Sequence, residues 1–213
     1  MLNTTKQQLI SSLFALLLGF LPVTKSIAED LQAPQQMIQS VSTQLQKKLQ
    51  DKIFTQNFAQ VTHFVNNVIS PHTDFDKIAQ LVLGKHWKTA SPEDQDRFKH
   101  EFQILIVRTY SRAFIEYNDW SLRFTPIEIS NESTKVIVKT QVLQSGRQPV
   151  DVDYRMFIGN GIWKVYDILI DGVSLVTNYR STFNDEIQNK GSLSAVIDEL
   201  VKRNAEALAA TGS

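Results

Sequence analysis

A strand that is apolar on both faces, followed at once by a turn and a helix, constrains this chain more than any other segment. Residues 162–170 read IWKVYDILI, Asp171-Gly172 marks a turn, and an apolar helical pattern begins at about Val173. Alternate strand positions point to opposite faces. One face carries Trp163, Val165, Asp167 and Leu169, and the other carries Tyr166, Ile168 and Ile170. Such a strand is buried on both sides, which predicts a deep interior beside a sheet.

The N-terminus predicts export. Lys6 precedes an apolar run from Leu9 to Leu21, and Ser26-Ile27-Ala28 supplies small residues at the positions that determine signal-peptide cleavage. Because the run is short for a transmembrane helix, residues 1–28 are predicted to be a signal peptide rather than an uncleaved anchor. The sequence has no cysteine and so no lipoprotein attachment site. Residues 29–213 are therefore expected to form one soluble periplasmic domain.

The charge balance of the mature chain excludes some partners. The sequence has 22 basic and 22 acidic residues, and residues 1–28 contain Lys6, Lys25 and no acid, so 20 basic and 22 acidic residues remain, a net charge of −2. Nucleic-acid binding needs a clear basic excess, and lasting adhesion to anionic lipid needs basic clusters. Neither class of partner is expected.

The hydrophobic period changes once along the chain, from helical spacing to alternation. It predicts a helical lobe over about 34–117, a four-stranded antiparallel sheet over about 121–170, and C-terminal helices over about 173–208. Capping residues are predicted at Asp74 and Ser91, with Gly191 ending the first C-terminal helix. The strands are predicted at Ser121–Ile129, Thr134–Leu143, Val150–Ile158 and Ile162–Ile170. This α+β order predicts an NTF2-like cone, in which helices wrap a curved sheet.

Titratable residues offer little for catalysis. Asp151 and Asp153 alternate onto the polar face of their strand, where they are expected to be solvated. Asp167 is interpreted as a structural partner of Arg155 or of another basic residue on a neighbouring strand, because buried charges are usually paired. The four histidines, of which His86 is the one with catalytic potential, lack the spacing of a metal site, and no metal is predicted.

Apolar side chains from several predicted elements face a common interior. These are Tyr110, Phe114, Phe124, Val138, Tyr154, Met156, Val165, Ile168, Ile170, Val173, Val176 and Phe183. The pattern alone favours an ordinary filled core, since apolar stripes usually pack on each other. A cavity for a long apolar ligand is the other possibility.

Several separated segments carry a family resemblance. They are residues 162–183, residues 70–87 beginning SPHTDFDKIA, the SPED run at 91–94, the RTY triplet at 108–110 and the VDYR run at 152–155. Taken in their order along the chain, these segments resemble the MlaC (toluene-tolerance) family of periplasmic phospholipid-binding proteins. The similarity extends from about Val61 to Asn204.

The resemblance implies a monomeric carrier rather than an enzyme, with phospholipid as cargo and no cofactor. It implies exchange of glycerophospholipid between an outer-membrane lipoprotein–porin complex and an inner-membrane ABC transporter complex, which maintains outer-membrane lipid asymmetry. By residue-level match it also implies a set of pocket residues. These are Tyr110, Val152, Tyr154, Val165, Tyr166, Val173 and Val176.

Two other functions compete with the carrier. One is an exported NTF2-like adaptor that binds membrane complexes without lipid cargo. The other is a hydrolase or isomerase that uses Asp167 or His86.

Overall fold

The order of helices and strands follows the change of period in the sequence. The computed structural model describes residues 31–117, 119–130 and 132–209, so the predicted signal peptide lies outside the described residues. The helices are α1 (Ala33–Leu49), α2 (Phe58–Ile69), α3 (Phe75–Leu83), α4 (Lys85–Thr89), α5 (Pro92–Glu116), α6 (Leu175–Lys190) and α7 (Leu193–Ala209). The strands are β1 (Ser121–Phe124), β2 (Lys135–Leu143), β3 (Val150–Gly159), β4 (Ile162–Ile170) and β5 (Val173–Ser174). Within the described ranges, no helix combines the length and apolar character needed to cross a membrane.

Local side-chain chemistry fixes the helix ends. The Asp74 carboxylate accepts a hydrogen bond from the Lys77 amide at 2.8 Å, and the Ser91 hydroxyl accepts one from the Asp94 amide at 3.1 Å. Each bond satisfies an amide that has no partner within its own helix. Gly191 ends α6 with a φ of 79°, a left-handed conformation that glycine adopts without strain. The predicted caps at Asp74, Ser91 and Gly191 are confirmed.

The strands form one antiparallel sheet in the order β1-β2-β3-β4-β5. The predicted meander is confirmed, with two corrections. β1 ends at Phe124 instead of Ile129, because Pro126 has no amide hydrogen to donate to the neighbouring strand. Residues 173–174 pair with the end of β4 as a short fifth strand, so α6 begins at Leu175 rather than Val173.

A β-bulge changes the alternation of β4. Arg155 of β3 pairs with Asp167, but the next residue, Met156, pairs with Val165, which leaves Tyr166 as the extra residue. The prediction that Val165 and Asp167 share a face was therefore wrong. A one-residue shift moves every later side chain to the opposite face.

We call the sheet face that carries Val138 and Tyr154 the inner face and its opposite the outer face. On β4 the inner face continues as Trp163, Val165, Ile168 and Ile170. The inner face packs against α1 in a group that we call the sheet cluster, built around Ile38, Val138, Met156 and Val165.

Two further apolar groups lie among the helices. The helical cluster joins α3, α5, α6 and α7, and its members include Phe98, Phe102, Phe183 and Leu200. The α1–α2 cluster joins α1, α2, α5 and the residues before β1, and includes Leu49, Val61, Val65, Val107 and Trp120.

Candidate functional site

The sheet brings eight of the predicted site residues onto one surface. Register places them on the inner face of β1 to β4, and six of them belong to the sheet cluster. Those six are Phe124, Val138, Tyr154, Met156, Val165 and Ile168. The other two, Val152 and Ile170, pair directly with each other. The short connections of the meander account for this convergence, because they keep neighbouring strands in register.

Packing is uneven across this surface. Val138 and Met156 are fully enclosed at 0% exposure, whereas Tyr154, Ile168 and Ile170 are only partly buried. Tyr154 pairs with Val138 on one side and with Ile168 on the other. Closed core and accessible apolar surface therefore meet within three neighbouring strands, and the accessible part has the apolar character of a ligand-binding surface.

Tyr154 supplies a polar group on this apolar surface. Burial raises the pKa of its phenol to about 12, and a side-chain hydrogen bond with Thr140 opposes part of that rise. The Thr140 hydroxyl in turn donates to the Val152 carbonyl at 2.8 Å. Tyr154 is thus partly buried and neutral at physiological pH.

Two of the residues predicted on the helices pack in the helical cluster. Val176 and Phe183 belong to the helical cluster, where Phe183 is 2% exposed and its ring centroid lies 5.0 Å from that of Phe98. Tyr110 of α5 is partly buried. Burial, and then the neighbouring phenol of Tyr179, raise the pKa of Tyr110 to about 12. Phe183 is therefore packed as core.

Three more predicted residues lie outside the sheet cluster. Phe114 packs in the α1–α2 cluster with its ring centroid 5.5 Å from that of Trp120. Val173 in β5 is 61% exposed. Tyr166 lies on the outer face, where its ring centroid is 5.8 Å from that of Phe157. None of these three belongs to the sheet cluster, and Tyr166 lies on the outer face because of the bulge.

Asp167 fastens the outer face to the start of α6. Its carboxylate is 4% exposed and accepts three hydrogen bonds: from Arg155 Nη1 at 3.1 Å, Ser174 Oγ at 2.7 Å and the Val176 amide at 3.1 Å. The predicted pairing with Arg155 is confirmed. Three donors from two directions satisfy the buried charge and fix where α6 begins.

The other catalytic candidate, His86, has an amide neighbour. Its Nε2 lies 3.2 Å from Asn184 Oδ1, a contact that joins α4 to α6. In the part of the chain that the structure describes, no group of three histidine, cysteine, aspartate or glutamate side chains is arranged to hold a metal ion.

Comparison with known families shows to which family this fold belongs. The model of the MlaC protein family matches residues 39–202, which include α2 to α6 and most of α1 and α7. The chain belongs to the MlaC family.

Relatives of known name agree with the MlaC assignment. The toluene tolerance protein ttg2D of Pseudomonas putida is 25% identical over 164 residues, 76% of each chain. The intermembrane phospholipid transport system binding protein MlaC of Haemophilus influenzae is 25% identical over 165 residues, 75% of this chain and 76% of that protein. A solved structure, the phospholipid-binding protein from Ralstonia solanacearum in complex with a phospholipid, is 28% identical with a TM-score of 0.74, and the match covers 83% of this chain and 99% of that one.

The predicted site residues of this MlaC family member do not include one aromatic residue that interacts with Tyr110. Tyr179 of α6 packs edge-to-face on Phe102 at 5.2 Å between ring centroids, and it influences the ionisation of Tyr110. A signal was available, because Tyr179 precedes Phe183 by four positions and therefore shares its helix face.

Proposed function

We propose that this protein carries a glycerophospholipid, holding its acyl chains against the partly buried section of the inner face. The observation that carries the proposal is the phospholipid bound to the Ralstonia relative, whose fold covers 83% of this chain. Burying an acyl chain contributes about 0.8 kcal/mol per methylene, so a tail of ordinary length is held firmly by apolar contact alone.

The proposed contact residues are those that combine apolar character with accessible surface. Tyr154, Ile168 and Ile170 meet both conditions on the inner face, and Tyr110 meets them on α5. Val138, Val152, Met156 and Val165 are buried neighbours that support this surface from below. Neutral phenols at Tyr110 and Tyr154 fit a lipid site, since a charge there would oppose binding of the tails.

We also propose that the carrier works in the periplasm after removal of residues 1–28. As a monomer it would exchange lipid between an outer-membrane lipoprotein–porin complex and an inner-membrane ABC transporter complex and so maintain lipid asymmetry. The Haemophilus relative, named as the binding protein of an intermembrane phospholipid transport system, supports this role. Binding and release require no bond to be made or broken, so no enzymatic step is proposed.

Mass spectrometry of native protein tests the carrier function. Protein extracted from the periplasm is denatured, and the released lipid is quantified. We expect one or more phospholipids per chain. As a control, protein stripped of lipid by unfolding and then refolded should take up phospholipid from vesicles. Protein that is empty when isolated and remains empty after incubation with vesicles would overturn the proposal in favour of an adaptor without cargo.

A further inference from the structure

Arg108 of α5 is a partly buried cation without an acidic partner among the described residues. Its Nε donates to Asn204 Oδ1 at 2.8 Å. Asn204 is 2% exposed and donates from Nδ2 to the Glu101 carbonyl at 2.9 Å and to Glu101 Oε2 at 2.7 Å. These bonds orient the Asn204 amide so that its oxygen faces Arg108. They also engage the carboxylate of Glu101 with Asn204 rather than with Arg108. Among the described residues, no acceptor reaches the two terminal nitrogens of Arg108.

Two more arginines surround this position. Arg112 lies one helical turn after Arg108, and its guanidinium carbon is 5.0 Å from the centre of the Phe58 ring, without a carboxylate partner in the described residues. Arg203 of α7 is adjacent to Asn204 in sequence and pairs with Glu186 at 3.1 Å. The Nε of Arg203 is buried and has no hydrogen-bond partner in the same set of residues.

The charged form of Arg108 is disfavoured by this arrangement, and a bound anion would stabilise it. Burial, and then the charges of Arg112 and Arg203, lower the pKa of Arg108. A guanidinium with free terminal nitrogens presents a planar fork that matches two oxygens of a phosphate. The three cations exceed the two carboxylates of the cluster, Glu186 paired with Arg203 and Glu101 bound to Asn204, and the remaining positive charge would be neutralised by a phosphate group.

The cluster also connects with the proposed lipid site. The charge of Arg108 acts on the phenol of Tyr179, and Tyr179 in turn acts on Tyr110. An anion at Arg108 would therefore lie within electrostatic range of a residue already proposed to contact the lipid.

We propose that Arg108, assisted by Arg112 and Arg203, binds a phosphate group at the junction of α5, α6 and α7. The assignment to a lipid rests on the proposed carrier function: the phosphate would be the one shared by all glycerophospholipids. Such a site selects for the phosphate itself and not for the group esterified to it. Free inorganic phosphate has the same chemistry and is the other source of the ligand.

The test compares two ligands that differ only in the phosphate headgroup. Lipid-free full-length mature protein is titrated with dioctanoyl phosphatidylglycerol and with dioctanoylglycerol, and the same is done with Arg108→Gln. We expect the variant to lose about tenfold in affinity for the phospholipid, as for one charge-assisted hydrogen-bonding group, and nothing for the diacylglycerol. The ratio of the two losses isolates the interaction of arginine with phosphate.

Two further variants keep the comparison interpretable. Arg108→Lys retains the charge without the fork and should lose less affinity than Arg108→Gln. Arg123→Gln removes an equally charged but exposed arginine on β1 and should lose none. Equal losses for both ligands, or no loss for either, would overturn the proposal.

Inorganic phosphate separates the two sources of the ligand. Phosphorus NMR of phosphate with wild-type protein and Arg108→Gln shows directly whether free phosphate binds. Binding of phosphate that needs Arg108, without preference for phospholipid over diacylglycerol, would identify free phosphate as the ligand. Wild-type protein that binds neither lipid would contradict the carrier function, while the phosphate titration would still decide the anion site.

Discussion

The helical cluster and the inner face of the sheet are both apolar, but they are packed differently. Phe98, Phe102 and Phe183 are at most 2% exposed and their rings contact one another, whereas Tyr154 and Ile168 keep accessible surface. A side chain surrounded by its own protein on all sides has no surface left for a ligand. Apolar composition therefore does not distinguish core from binding surface, but the completeness of packing does.

The largest expected effect is on the core side of this comparison. Phe183→Ala should lower the free energy of unfolding by about 3–5 kcal/mol, because it leaves a cavity among three other rings. Urea denaturation of lipid-free protein measures this loss. Phospholipid bound per folded molecule should stay unchanged. A variant of near-normal stability that has lost its lipid would instead place Phe183 in the binding site.

The next largest effect on stability is expected at the hydrogen bonds of Asp167, which join β4 to the start of α6. Asp167→Asn replaces a buried carboxylate that accepts three hydrogen bonds, and we expect a loss of about 1.5–3 kcal/mol in unfolding free energy. Asp151→Asn, the same change at an exposed position of β3, is the control and should stay within about 0.5 kcal/mol of wild type. Equal losses in the two variants would mean that the hydrogen bonds of Asp167 contribute no more to the free energy of unfolding than a surface residue does.

A substitution on the inner face should change binding more than stability. Ile168→Trp adds a large ring to the accessible surface beside Tyr154 and should lower phospholipid affinity by roughly tenfold. Its stability should change by about 1 kcal/mol or less, since the ring enters accessible rather than filled space. The matched control is Ile162→Trp on the same strand, at a position that is 48% exposed. Full lipid binding by Ile168→Trp would contradict the proposal that the acyl chains bind to the inner face.

The sequence predicts those parts of the molecule that depend on local chemistry. The caps at Asp74 and Ser91 and the end of α6 at Gly191 follow from neighbouring residues, and the alternation of β2 and β3 correctly groups Val138 with Tyr154 and Met156 on the inner face. These features need only a few adjacent positions to be specified, so the pattern contains them in full.

The features that the sequence did not reveal depend on distant pairing. The bulge at Tyr166 arises from the match between β3 and β4, and it moves Tyr166 and Asp167 to the outer face. Likewise, Phe183 has the same apolar character as an inner-face residue, and only its contacts with Phe98 and Phe102 identify it as core. Whether an apolar side chain contacts protein or ligand is decided by tertiary packing, which the periodicity of a single chain does not encode.

The smallest expected effect at neutral pH concerns the phenol of Tyr154. Tyr154→Phe should change the free energy of unfolding by less than about 1 kcal/mol at pH 7, where the phenol is neutral in both states. The folded-state pKa of Tyr154 is raised from 10.0 to about 12, so the unfolded chain loses this proton first as the pH rises. The phenol therefore lowers stability progressively between pH 10 and pH 12, and the phenylalanine variant avoids that loss. Urea denaturation of both proteins at pH 8 and pH 11 should give a difference that moves in favour of the variant only at the higher pH. A difference that is the same at both values would mean that water solvates Tyr154 freely and that this part of the inner face is as open as ordinary protein surface.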